Sequence, residues 1–301
     1  MTTSGDYTAY GLSIYSEIDL PELTCATATA TPHVVIRRGS VPVQLDHPMA
    51  GGGMFQVENQ RFLLVVEGVA RYLVSDGSTI VVDTCSEDDG DSVRLFLLGS
   101  VWGALLHQRG LSPLHGSAIG TPGGAVIFAG RSGSGKSALA AAFHARGYPV
   151  ITDEICAISI VPGGAEVSPA FPRLLLWPNI IEQLGLQGPD VRAARPNLLK
   201  QHVPVNTGFA TAPSRIRAIY ILSVTNALDL SLTPINGLKK IQELLGVAFR
   251  RSFLWGIRAE EAHFSRMMAL AGNAGMARLA RPGGKALLLE TADLLEKDFN
   301  P

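Results

Sequence analysis

AVIFAGRSGSGKSALAAAF, residues 125–143, passes from an apolar run through a glycine-rich turn into an alanine-rich segment. It matches G-x-x-x-x-G-K-[ST], with Gly130, Gly135, Lys136 and Ser137 at the fixed positions. The run before the turn suits a short buried parallel strand. The segment after it is strong helix-forming sequence, and Gly147 stands where a helix C-terminal cap belongs. In such a turn the glycines let consecutive backbone N–H groups face phosphate oxygens, and the helix start adds its positive dipole end. Ser132, Gly133 and Ser134 complete the loop. Lys136 would reach the β- and γ-phosphates, and the Ser137 hydroxyl would ligate Mg²⁺. The expected cofactors are therefore ATP and Mg²⁺.

Outward from this stretch the chain divides in two. Residues 1–110 read as a smaller β-rich domain: VVIRR, MFQVEN, RFLLVVEG, ARYLVSDG and TIVVDT follow one another in the manner of a meander. An acidic loop, SEDDGDS, then opens a helix that ends at Gly110. Residues 111–301 alternate strands with helices, so the fold class is α/β, with a P-loop domain in this second part. SAIGTPGGAVIFAG reads as a hairpin leading into the loop, with YPVIT and ICAISIV as later strands. LLLWPNIIEQLG reads as a helix, residues 187–203 as a polar loop, and RAIYILSV as a strand. LKKIQELLGVAFRRSFL is predicted as one amphipathic helix, AEEAHFSRMMALAGNAG as another, followed by short C-terminal elements.

Composition narrows the function classes. The chain has 301 residues, 47% apolar and 17% charged, with a net charge of −1. That suits one or two domains with a substantial core, and it provides no overall field to recruit nucleic acid or anionic lipid. No basic-then-apolar start suggests a signal peptide, and no apolar stretch is long enough to span a bilayer. Cys25, Cys85 and Cys156 are scattered, matching neither a disulfide framework nor a zinc site. A cytoplasmic location, with no membrane or nucleic-acid partner, is the expectation.

Two features outside the loop bear on chemistry. Asp153 and Glu154 follow the strand YPVIT, where a carboxylate can reach Mg²⁺ or an attacking nucleophile if that strand adjoins the P-loop strand. A turn-capping acidic pair is the plainer alternative. His115 precedes the hairpin, which would return it to the P-loop end of the sheet as a general acid–base candidate.

The stretch from LHGSAI through AVIFAGRSGSGKSALAAAFHARGYPVITDEICAI resembles the core of the HPr kinase/phosphorylase family. Histidine, P-loop and acidic pair stand at matching intervals. The resemblance implies that His115 and Asp153 surround the transferred phosphoryl group, with Glu154 assisting at the metal or the nucleophile. Ala138 replaces the family's usual Glu, the second acid is Glu154 instead of Asp, and the downstream Glu-x-Arg-Gly-x-Gly type stretch has no counterpart. YGLSIYSEIDLPEL, FLLGSVWGALLHQRGLSPLHGSAI and PRLLLWPNIIEQLG are similar to a divergent branch that includes lasso-peptide-modifying serine kinases. That implies an ATP-dependent kinase acting on a serine hydroxyl of a ribosomally made peptide, at its C-terminal tail.

The acceptor expected is thus a peptide or small protein, with an HPr-type protein kinase or a non-catalytic ATP sensor as alternatives and homo-oligomerisation left open. Asp153 would take the acceptor's proton, and His115 would polarise the hydroxyl or stabilise phosphoryl oxygens. Arg173, Arg192, Arg195 and Lys200 fall in and before the polar loop. They are either a solvated surface or a cationic lid, with Lys200 the nucleotide contact by resemblance. Arg250 and Arg251 read as a helix-end charge pair.

Overall fold

The computed structural model describes residues 4–85, 90–196, 198–226, 229–283 and 287–300. Its first part is a nine-stranded sheet of β1 (Gly5–Ala9), β2 (Leu12–Ser16), β3 (Thr24–Cys25), β4 (Val34–Arg38), β5 (Ala50–Gly52), β6 (Phe55–Glu58), β7 (Arg61–Val66), β8 (Ala70–Ser75) and β9 (Thr79–Thr84). Burial alternates along β8, so Ala70, Tyr72 and Val74 face inward while their neighbours do not. Strands β5 to β9 form the expected antiparallel meander. The remainder departs from it, because β4 lies between β2 and β9 and runs parallel to both. Alternation reveals a strand; the connecting chain decides which neighbour it takes and in which direction.

Residues 86–89 of the acidic stretch lie outside the described residues. The helix that follows runs as α1 (Asp91–Phe96), a π-helical turn (Leu97–Val101) and α2 (Trp102–Gln108). Its buried Trp102, Leu105 and Leu106 join the core of the first sheet. That core also takes Ile155, Phe171, Phe249, Phe253 and Leu254, so it draws on residues from both sides of position 110.

The second sheet comprises β10 (Ser112–Thr121), β11 (Gly124–Gly130), β12 (Val150–Thr152), β13 (Ile155–Val161), β14 (Gly164–Val167) and, beyond a smaller sheet, β18 (Ser214–Thr225), β19 (Ser231–Pro234) and β20 (Gly275–Pro282). Strand β18 runs antiparallel to β14 at its start and parallel to β11 beyond, so the pairings close a circuit through β10 and β13. On one side pack α3 (Lys136–Ala145) and α8 (Leu288–Phe299). Phe128, Phe143 and Phe299 meet there, with ring centroids 5.4 Å and 5.3 Å apart in sequence. Each such buried ring contributes roughly 1.5–3 kcal/mol, which fixes α3 against β11. A separate core holds Leu244 of α5 (Leu238–Gly246) with Met267 and Leu270 of α7 (Glu260–Asn273).

Several sequence expectations are corrected. LLLWPNIIEQLG is strand β15 (Arg173–Leu176) and then α4 (Pro178–Gln183), since the residue before a proline favours extended backbone and Trp177 has ψ 149°. The polar loop contains β16 (Arg192–Ala193) and β17 (Gln201–Pro204), which pair with β15 in a three-stranded sheet ordered β15–β17–β16. The long amphipathic helix stops at Gly246; residues 247–249 instead pair with β10, and the short α6 (Leu254–Ile257) follows. Arg250 and Arg251 therefore lie off α5. The C-terminal elements are longer than expected, α8 having 12 residues. Among the described residues no helix is long and apolar enough to cross a membrane.

Candidate functional site

The glycine-rich loop joins the end of β11 to the start of α3. Gly130 has φ 152°, and a Cβ there would stand 2.7 Å from the Leu222 carbonyl, so the loop leaves the sheet where only glycine fits. Gly135, at φ 101°, is the N-cap of α3, and no side chain caps that helix. An uncapped helix start offers unsatisfied N–H groups and a positive dipole end to an anion. The Ser134 hydroxyl is buried without a hydrogen-bond partner beside the same turn. Lys136 is 6% exposed, and its ammonium donates to the Arg131 carbonyl at 2.9 Å. Burial pulls its pKa down to about 8, with Asp153 opposing.

His115, Ser132 to Leu139, Glu154, Lys200 and Arg281 line one cavity of about 310 Å³. The hairpin does return His115 to the loop: Gly116 pairs with Ala129, which places the histidine across from Gly130. Its imidazole is held neutral, at about 4, chiefly by burial and next by the Lys136 charge. The strand carrying Asp153 does not adjoin the loop strand as the sequence reading supposed. β12 pairs with β10, which lies between it and β11. The carboxylate bridges that gap, accepting from Ser117 of β10 at 2.6 Å and from Ser137 of α3 at 2.8 Å. Its second oxygen accepts from the Leu175 N–H at 2.9 Å. Asp153 is 5% exposed and committed on both oxygens.

Glu154 differs in backbone conformation and in what it faces. Its backbone is left-handed, φ 73°, which is uncommon for a residue with a side chain, and the side chain lines the cavity. Burial pushes its pKa up and the Arg173 charge opposes. Adjacent acids in one dipeptide thus occupy two environments, one hydrogen-bonded to the protein and one at the cavity wall. Among the described residues no group of three or more His, Cys, Asp or Glu is placed to hold a metal ion.

Of the four basic residues near the polar loop, only Lys200 lines this cavity, with its ammonium 5.8 Å from the Trp177 ring. Arg173 is buried and donates to His202 Nδ1 at 2.7 Å. Arg192 pairs with Glu22 at 2.8 Å, and Arg195 lies over Phe96 at 5.5 Å. These three are tied to the scaffold, in contrast to a free cationic lid. Sequence reasoning missed Ser117, Arg281 and Trp177. Arg281, near the end of β20, donates from Nε to the Ser134 carbonyl at 3.3 Å. Nothing local marks it; its strand reaches the loop only through pairing with β18.

No protein-family model matches the chain, and no curated protein matches it. Among solved structures it is similar to the Hpr(Ser) kinase/phosphatase from Coxiella burnetii, at 11% sequence identity and a TM-score of 0.33, over 62% of this chain and 90% of that one.

Proposed function

We propose that this chain is an ATP-dependent kinase that transfers a phosphoryl group to a serine hydroxyl of a peptide or small protein. The observation that carries the reading is the hydrogen bond from Ser137 to Asp153 beneath a loop that shares its cavity with Lys136, His115 and Glu154. The residues present fit a nucleotide and its cation: an uncapped helix start, an orphaned buried hydroxyl on Ser134 and a buried ammonium converge on one cavity. The loop amides, Lys136, Lys200 and Arg281 would hold the phosphates, and Ser137, oriented by Asp153, would hold Mg²⁺. Bound ATP–Mg²⁺ supplies the phosphoryl group and neutralises its charge.

The Ser137 hydroxyl donates a hydrogen bond to Asp153, which would leave its lone pairs for a cation. Asp153, already accepting three hydrogen bonds, positions Ser137, and the proton acceptor is assigned to Glu154 instead. A carboxylate raised by burial is the better base, since its proton affinity lies closer to the working pH. His115, neutral at physiological pH, can donate an N–H to a phosphoryl or acceptor oxygen without adding charge. Positioning and charge neutralisation are most of what phosphoryl transfer requires.

The lasso-peptide assignment of the acceptor rests on the sequence resemblance alone, and a C-terminal precursor tail offered beside an HPr protein decides between them. The test of the chemistry is transfer of labelled γ-phosphate to serine peptides. Glu154→Gln should lower transfer by roughly a hundredfold or more while nucleotide affinity holds. The wild-type rate should rise with pH through the raised Glu154 pKa. A native rate in Glu154→Gln with loss in Asp153→Asn would move the base to Asp153. Tight ATP binding with no transfer to any acceptor would leave a sensor.

A further inference from the structure

Beyond α5 the chain is clamped between β10 and α2. Residues 247–249 pair with β10: Leu114 bridges Ala248, the His115 N–H donates to the Val247 carbonyl, and the Phe249 N–H donates to the Pro113 carbonyl, both at 2.8 Å. His107 Nε2 hydrogen-bonds the Phe249 carbonyl at 2.7 Å. The Phe249 ring occupies space that a Cβ on Gly103 would claim, 2.5 Å away, so the glycine makes room for it. Phe249 in turn lies edge-on to His115, with centroids 5.9 Å apart.

The segment that follows is bounded by two arginines in left-handed conformation, Arg250 at φ 48° and Arg258 at φ 52°. Side chains are rarely found there unless surrounding contacts impose it. Between them Phe253, Leu254 and Ile257 are buried in the first core and anchor the segment. Arg250, Arg251 and Arg258 are exposed, and Trp255 is 59% exposed. Among the described residues no carboxylate lies within ion-pair distance of these three arginines. Arg250 does not line the cavity, but its guanidinium lies over the Phe249 ring at 5.9 Å, and that ring is the one edge-on to His115, which does line it.

We infer that this rigid, basic, tryptophan-bearing segment docks an acidic stretch of the acceptor and leads the neighbouring serine to His115 and Glu154. The inference rests on the kinase reading and names its substrate class: a serine flanked by aspartates or glutamates. Three exposed guanidinium groups without a carboxylate partner, in one short segment with an exposed indole, match an acidic peptide in charge and provide the residue types that dominate recognition hot spots. The segment is short and presents a single indole, so it has no aromatic series on which successive nucleobases could stack.

The test uses the full chain and synthetic peptides with one serine flanked by aspartates, asparagines or lysines. Binding is read by fluorescence anisotropy on labelled copies in which alanine replaces the serine, and transfer is read separately on the serine forms. The aspartate peptide should bind about tenfold more tightly than the asparagine peptide at low salt, with the gap closing as salt screens it. Arg251→Gln and Arg258→Gln together should bring that ratio close to one without shifting thermal unfolding. Arg258→Glu should move the preference toward the lysine peptide. Equal binding of the three peptides, an unchanged ratio in the double variant, or tighter binding of a single-stranded oligonucleotide than of the aspartate peptide would overturn the inference. Arginine-dependent docking without phosphoryl transfer would instead overturn the kinase reading and leave the docking surface standing.

Discussion

The nine-stranded sheet and the region around the glycine-rich loop differ in the charge they bury. Up to position 110 the described core is almost wholly apolar, and its one buried carboxylate, Glu22, is paired with Arg94 at 3.0 Å and Arg192 at 2.8 Å. Beyond it the chain buries Lys136, Asp153 and Arg173 close together, leaves the Ser134 hydroxyl without a partner and holds Glu154 in a left-handed conformation. Buried charge is costly for a fold, and Lys136, Asp153 and Arg173 concentrate it beyond position 110, whereas buried polar atoms without a partner occur on both sides, Tyr10 Oη and Trp102 Nε1 before it and Ser134 Oγ after it. The sheet region bears apolar packing, and the loop region holds the buried charges that the proposed phosphoryl transfer would use.

The largest expected effect tests the second half of that contrast. Lys136→Ala should lower phosphoryl transfer by about a thousandfold or more, because a preorganised cation on the phosphates is lost. Its thermal midpoint should stay level or rise slightly, since a desolvated ammonium leaves the interior. Turnover assays beside melting curves check both, and a large loss of stability would break the contrast by making Lys136 a structural group.

The converse variant lies on β4. Ile36 is fully buried in the first sheet, and Ile36→Ala should cost about 2–5 kcal/mol through lost burial and a residual cavity. ATP affinity measured by calorimetry on the folded variant should be unchanged. A shift in affinity comparable with the stability loss would show that the two regions share one energetic unit.

The last effect concerns acid. Burial holds His107, His115 and His263 at about 4 and His202 at about 3, below the ordinary 6.5. The unfolded chain therefore takes up protons before the folded one as pH falls, and stability declines between about 6.5 and about 4. Three of the four histidines lie beyond position 110, so the decline should originate there. Thermal unfolding followed from about pH 7 to about pH 4 measures it, and a flat midpoint would mean these rings have solvent access when folded.

The loop itself was legible because its parts are contiguous: a strand, a turn that demands glycine and a helix follow one another within residues 125–143, and local propensity suffices to read them. His115 was legible at one remove, through a hairpin short enough to infer. Ser117 was not, since it matters only because β10 inserts between β11 and β12. LLLWPNIIEQLG misled because three leucines before a proline satisfy a helical pattern as readily as a buried strand, and only pairing with β17 decided the matter. Arg281 and Trp177 belong to elements distant in sequence, and no spacing links them to the loop.

From the sequence alone came the elements whose hydrogen bonds close locally, and with them the loop, its lysine and its serine. Which partners each acid takes, which cations reach the cavity and how Phe249 comes to lie against His115 depended on strand order and on a helix stopping at Gly246. Those are settled by non-local pairing and shared cores, where the free energy comes from residues far apart in the chain, so no window of sequence contains it.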